Sequence, residues 1–155
     1  GEGLIERLIV EFPRFDDKST YQEIHEINFY KLAQLAFWGI HAELAGSKYF
    51  VVEDMSSMSA FADYIVPVAL EVMKITLYSK NLKEKIMEGK IIERDSQEEI
   101  EIRAASLFAT AKLTEEINKR RNKDEQLIIP QLDYRIWKQY HATHRPHHLT
   151  VTTMY

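Results

Sequence analysis

The stretch Phe61-Ala62-Asp63-Tyr64-Ile65-Val66-Pro67 sets a carboxylate among side chains apolar enough to be buried. A buried carboxylate is costly unless it is hydrogen-bonded or neutralised, so Asp63 reads either as a helix cap or as part of a site. A second aspartate, Asp133, stands four residues ahead of Trp137, which on a helix gives the two a shared face. Tyr64 and Trp137 are flat aromatic side chains that suit either core packing or stacking on a planar base. Two carboxylates beside such platforms fit cleavage of a glycosidic bond, in which one stabilises a cationic sugar and the other handles a proton or a water. Spacing alone does not bring positions 63 and 133 together.

Other groups leave alternatives open. Lys31 lies in an apolar helical stretch beside Phe29, Tyr30 and Gln34, so it either snorkels to water or stands as a fixed cation on a pocket wall. Arg103 follows Glu99 by four residues, and an ion pair between them is the simplest account. His141, His144, His147 and His148 fall close together with Arg145. They read as a polar segment, as donors facing a phosphate, or as metal ligands, although their spacing matches no standard zinc template.

Mainly helical elements must carry these residues. Leu4, Leu8 and Phe12 at fourfold spacing halt at Pro13, which predicts a short helix. The run from Ile27 to Gly46 predicts a largely buried helix with a glycine stop. Strand is expected only in short pieces, at Tyr49–Val52 or in the tail after His148. Ser56, Ser57 and Ser59 offer caps for a short turn that includes Asp63, and Pro67 suits the first position of a new helix. Ser79 opens a helix closed by Gly89, and Ser96 with Glu99 has the spacing of a capping box. That box starts the longest helix, with Ile100, Ala104, Leu107 and Ala111 along one face. A charged connection around residues 118–126 leads to a last helix near Pro130, striped by Leu132, Ile136 and Tyr140.

Composition narrows the class. The 155 residues suit one domain with a sizeable core, 45% being hydrophobic. Twenty basic against 24 acidic residues, a net charge of −4, lack the basic bias of a general nucleic-acid binder. Cysteine is absent, which removes disulfides, thiolate zinc sites and a cysteine nucleophile. No apolar run approaches the roughly 18–20 residues of a membrane span, so a soluble, cytoplasmic protein is the expectation.

Taken in order, the segments FPRFDD, INFYKLAQLAF, MSAFADYIVP, LYSKNLKEKI, EEIEIRAAS, QLDYRIW and PHHLTVTTMY resemble the queuosine salvage protein family. The resemblance runs from about Leu4 to Tyr155 and implies the C-terminal portion of a longer protein, as one helical domain without the family's N-terminal part. It implies an all-α fold like that of the helical DNA glycosylases, and hydrolysis of the N-glycosidic bond of queuosine 5′-monophosphate or queuosine to release queuine, with no cofactor. It implies Asp63 and Asp133 as catalytic-site carboxylates, with Lys31 at a matching position. Phe29, Tyr64 and Trp137 would line the deazapurine pocket, and His147 and His148 would lie near the ribose phosphate. Ile65 and Val68 stand where the family usually has arginine and glutamine, and Leu149 where it usually has arginine. Those departures bear on phosphate binding. They also favour an alternative, a non-catalytic homologue or half-protein that pairs with a chain supplying the N-terminal helices.

Overall fold

A computed structural model describes residues 3–44, 47–48 and 51–155. The described chain is mostly helical with one small sheet. The helices are α1 (Leu4–Glu11), α2 (Lys31–Glu43), α3 (Ile65–Val72), α4 (Lys80–Met87), α5 (Gln97–Asn118) and α6 (Ile129–Tyr140). None is long and apolar enough to cross a membrane among the described residues.

Local chemistry accounts for several boundaries. Phe12 leaves the helical region ahead of Pro13, ending α1. Ser79 Oγ accepts from the Leu82 N–H to start α4, and Gly89, at φ +66°, lies just past its end in the left-handed region that glycine tolerates. Ser96 Oγ accepts from the Glu99 N–H at the start of α5. The second half of the expected capping box is replaced: the Glu99 carboxylate accepts from the Asp95 N–H. Gln131 Oε1 reaches back to the Ile128 N–H at the head of α6.

Several expectations are corrected. The sheet is an antiparallel hairpin, β1 (Lys18–Tyr21) with β2 (His25–Asn28), in the register Tyr21 opposite His25. Its loop carries Gln22 and Glu23 at φ +51° and +59°, so the glycine or asparagine that usually advertises such a turn is missing. Of the strand expected at Tyr49–Val52, Tyr49 and Phe50 lie outside the described residues, as does the expected stop at Gly46, and Val51 and Val52 are not in a strand. The tail contributes a single parallel bridge, Leu149 with Ile91. Pro67 is the third residue of α3 rather than its first, a place still within the turn whose N–H groups need no helical partner. The serine turn is a 3-10 segment at Met55–Ser57 that ends well before Asp63. Nor is α2 largely buried: Ala33 and Gln34 are, whereas Leu35 and Ile40 are exposed.

The core positions the site. Val66, Ala69 and Leu70 of α3 pack on Ala109 of α5 and on Leu132 and Ile136 of α6. Fully burying Leu70 is worth roughly 1.5–3 kcal/mol. This contact sets the start of α3 against the first turns of α6. A second cluster joins Leu82, Ile86, Ile92 and Ile102, and a third joins Phe29, Ala62 and Ile100. The face that α5 turns inward is more polar than its expected stripe, with Glu99, Arg103, Ser106, Thr110 and Thr114 buried beside Ile100 and Ile102.

Candidate active site

Gln34, the polar residue inside apolar α2, ties that helix to the segment ahead of α3. Its Nε2 donates to the Phe29 carbonyl at 3.0 Å and to Ser59 Oγ at 2.9 Å, while its Oε1 accepts from the Ser59 N–H at 2.9 Å. The segment then runs buried through Ala60, Phe61 and Ala62 to Asp63. Asp63 Oδ1 accepts from the N–H groups of Ile65 at 3.0 Å and Val66 at 2.9 Å. The carboxylate thus closes the first turn of α3, where unpaired amides favour negative charge. Asp133, from the first half of α6, accepts from the Phe61 N–H through Oδ2 at 3.0 Å.

Between these elements lies a cavity of about 500 Å³. Lys31, Leu35 and Trp38 of α2, Phe61, Asp63 and Tyr64 ahead of α3, Asp133, Tyr134 and Trp137 of α6, and Tyr155 line it. Both carboxylates therefore face one space, together with the lysine. Tyr64 and Trp137, 41% and 37% exposed, stand at its rim and are not core aromatics. Tyr134 lies stacked with Trp137 at 6.2 Å between ring centroids.

The electrostatics follow from burial. Asp133 is pushed up to about 8, first by its removal from water and then by the charge of Asp63, against the Phe61 N–H and Lys31, which favour ionisation. Asp63 is also raised by burial, but it is held back by the Val66 amide, Lys31, the Ile65 amide and His147. Lys31 is lowered by burial, with the charges of Asp63 and Asp133 opposing that. One site thus offers a carboxyl that keeps its proton at neutral pH beside another whose charge the helix start supports.

A second cavity of about 420 Å³ shares Tyr64 and Trp137 with the first. Ile65, Val68, Tyr140, His141, Thr143, His144, Arg145 and His147 complete its lining. His147 lies over Tyr64 at 4.6 Å between centroids, and His141 stacks on Trp137 at 4.5 Å. Among the described residues, no group of three or more histidine, cysteine or acidic side chains is placed to hold a metal ion.

Two expected site residues lie elsewhere. Phe29 is fully buried behind the wall, its ring centroid 3.9 Å from the Arg103 guanidinium carbon, because its place just ahead of α2 turns it into the core. His148, 2% exposed, lies behind Tyr155, with Nε2 3.4 Å from the tyrosine hydroxyl. Burial and the neighbouring charges of His147 and Arg103 push its imidazole down to about 4. Leu149 lines neither cavity; its backbone pairs with residues 91 and 92. Arg103 pairs mainly with Asp17, while Glu99 is 3.6 Å away. Asp17, Gln34, Trp38, Tyr134 and Tyr155 are the participants that sequence reading missed. A buried glutamine inside an apolar helix was the one local signal among them.

The family model described as queuosine salvage protein matches residues 1–155. The chain is similar to the queuosine 5′-phosphate N-glycosylase/hydrolase of Sphaerobacter thermophilus, 30% identical over 98% of this chain and 47% of the relative. Proteins of the same name from Mus musculus and Schizosaccharomyces pombe are 30% and 32% identical, over 92% and 86% of this chain and 43% and 37% of their own lengths. The chain spans less than half the length of these curated relatives.

Proposed function

Because this chain belongs to the queuosine salvage protein family, we propose that its aromatic-walled cavity hydrolyses the N-glycosidic bond of queuosine 5′-phosphate. The observation that carries the reading is the meeting of Asp63 and Asp133 in one space beside Lys31. The 7-deazaguanine leaving group has carbon where many purine nucleosidases protonate a ring nitrogen, so catalysis leans on the sugar side. In this reading, Asp63 faces the anomeric carbon, stabilises the oxocarbenium-like sugar and takes a proton from the attacking water. The C1′–N bond breaks, the water oxygen joins C1′, the base nitrogen takes a proton from solvent as queuine leaves, and Asp63 returns the water's proton to solvent. Asp133, protonated at neutral pH, donates a hydrogen bond to the base edge or to a ribose hydroxyl. Lys31 orients the carboxylates or the ribose, and Tyr64 and Trp137 hold the base.

The neighbouring cavity suits the 5′-phosphate, with Arg145, His141, His144 and His147 as donors. Ile65 and Val68 line this cavity and Leu149 does not, so Ile65 and Val68 are the departures that bear on phosphate, Ile65 being the one that replaces a cation. Ile65→Arg is expected to improve kcat/KM for the monophosphate about tenfold more than for the nucleoside, measured on both substrates. The deciding experiment incubates the chain with queuosine 5′-phosphate and follows free queuine by mass spectrometry. Release is expected from the wild type and is expected to fall by about 10²–10³-fold in Asp63→Asn.

A second reading has the chain acting with a polypeptide that supplies the family's N-terminal helices. It is favoured by exposed apolar side chains on α1 and α2, among them Leu4, Val10, Leu35 and Ile40. Queuine release only after such a chain is added would establish it. The helical DNA-glycosylase-like arrangement is likewise part of this proposal, to be tested by superposing an experimental structure on such an enzyme.

A further inference from the structure

We infer that Arg103, together with Asp17, is a positioning pair that sets the relation between Lys31 and Asp63 from behind the cavity. The inference rests on the hydrolase reading of that cavity. Neither residue lines it, and both are almost wholly buried. The Arg103 fork meets Asp17 end to end, Nη1 donating to Oδ1 at 3.1 Å and Nη2 to Oδ2, across 86 positions of sequence. Its third nitrogen, Nε, donates to the carbonyl of Ala62 at 3.3 Å, one residue before Asp63. One guanidinium therefore holds the backbone that carries the carboxylate.

Asp17 extends the same grip to Lys31. Its carbonyl accepts from the N–H groups of Phe29 at 2.9 Å and Tyr30 at 3.1 Å, and its Oδ2 accepts from the backbone N–H of Lys31 at 3.5 Å. Tyr30 sits at φ +46°, a left-handed conformation that a tyrosine adopts only when held there. The start of α2, and with it Lys31, is set by these bonds. The guanidinium carbon also lies 4.5 Å from the ring centroid of Tyr155, another cavity side chain.

Stability alone does not explain the pair. Taking two charges out of water offsets much of their attraction, and well-packed apolar residues commonly serve a core as well or better. What apolar residues lack is direction: three donors on one rigid plane, two aimed at Asp17 and one at Ala62. The charges facing Lys31 fit this arrangement. Burial lowers its ammonium, while Asp63, Asp133 and Asp17 favour its charge and Arg103 opposes it.

Asp17→Asn and Arg103→Lys in the whole 155-residue chain test the inference. Lys31 is titrated by competitive acetylation across pH, read by mass spectrometry, alongside circular dichroism melts and turnover of queuosine 5′-phosphate. Asp17→Asn should lower the Lys31 midpoint by about half a pH unit, and both variants should lose about tenfold in kcat with KM within about threefold. A variant with wild-type helicity and melting whose kcat is unchanged overturns the inference, whatever its midpoint, as does an unmoved midpoint in Asp17→Asn. If the wild type releases no queuine, alone or with the family's N-terminal chain supplied, the hydrolase reading fails, and the Asp17→Asn midpoint then decides whether the pair governs Lys31. If neither variant folds, native-state hydrogen exchange on the unmodified chain decides. The amides of residues 29–31 and 61–63 should then open in one step, and independent openings overturn the inference.

Discussion

Asp63 meets the helix through one oxygen, Oδ1, which accepts both the Ile65 and Val66 amides. The other oxygen is left for the cavity, so capping and chemistry are compatible in one carboxylate. Asn keeps an acceptor oxygen of the same shape while removing the charge. Asp63→Asn is therefore expected to melt within a few degrees of wild type and to lose about 10²–10³-fold in queuine release, measured by calorimetry and single-turnover assay. Asp133 makes a different prediction, because its proton is retained in the folded state up to about pH 8. The unfolded chain gives that proton up near pH 4, so between the two values the native state binds more protons. The resulting stability is fully present below about pH 4 and is lost as pH rises through about 8. Asp133→Asn should remove that decline while still accepting from the Phe61 N–H. Urea unfolding at pH 5 and pH 8 should show wild type losing on the order of a few kcal/mol more than the variant between the two.

Elements matter here through how they begin and end. The two cavity carboxylates stand at or near helix starts, and the lysine is the first residue of α2. At the other end of α4, Gly89 holds φ +66°, and a Cβ there would meet only Leu149 Cδ1, at 4.0 Å. Space is adequate, so the cost of Gly89→Ala is backbone strain alone. About 1 kcal/mol of destabilisation is expected, read as a shift in urea midpoint with unchanged slope. The helices were legible because caps and apolar spacing act within four residues. Ser79, Ser96 and Pro13 stand where α4, α5 and α1 start or stop. The hairpin was not legible, because Gln22 and Glu23 occupy a turn that side chains of their kind seldom signal.

At the scale of the molecule, long-range polar bonds join the elements alongside the apolar clusters. The Asp17–Arg103 pair links the hairpin segment to α5, and Asp133 with the Phe61 N–H links α6 to the segment before α3. With the site shared among so many pieces, unfolding should be one event. Far-UV circular dichroism, dominated by helix, should lose its signal in the same urea transition as the fluorescence of Trp38 on α2 and Trp137 on α6. Separate transitions would mean that α1, the hairpin and α2 form a unit of their own, which would loosen Lys31 from the carboxylates.

By itself the sequence determined the helical class, most helix starts and stops and the family, and it singled out the two aspartates and their aromatic neighbours as candidates. Each of these depends on residues close together in the chain or on an order of motifs that packing does not alter. Only the tertiary structure decided that positions 63 and 133 face one cavity, since that follows from α3 packing on α6 through Val66, Leu70, Leu132 and Ile136. It also decided that Phe29 and His148 lie behind the wall, and that Arg103 turns to Asp17 more than to Glu99. Those outcomes come mainly from contacts between residues far apart in the chain, such as 72 positions between Phe61 and Asp133 and 86 between Asp17 and Arg103. A spacing of three or four residues carries no information about such contacts, because they are selected by the fit of whole faces against one another.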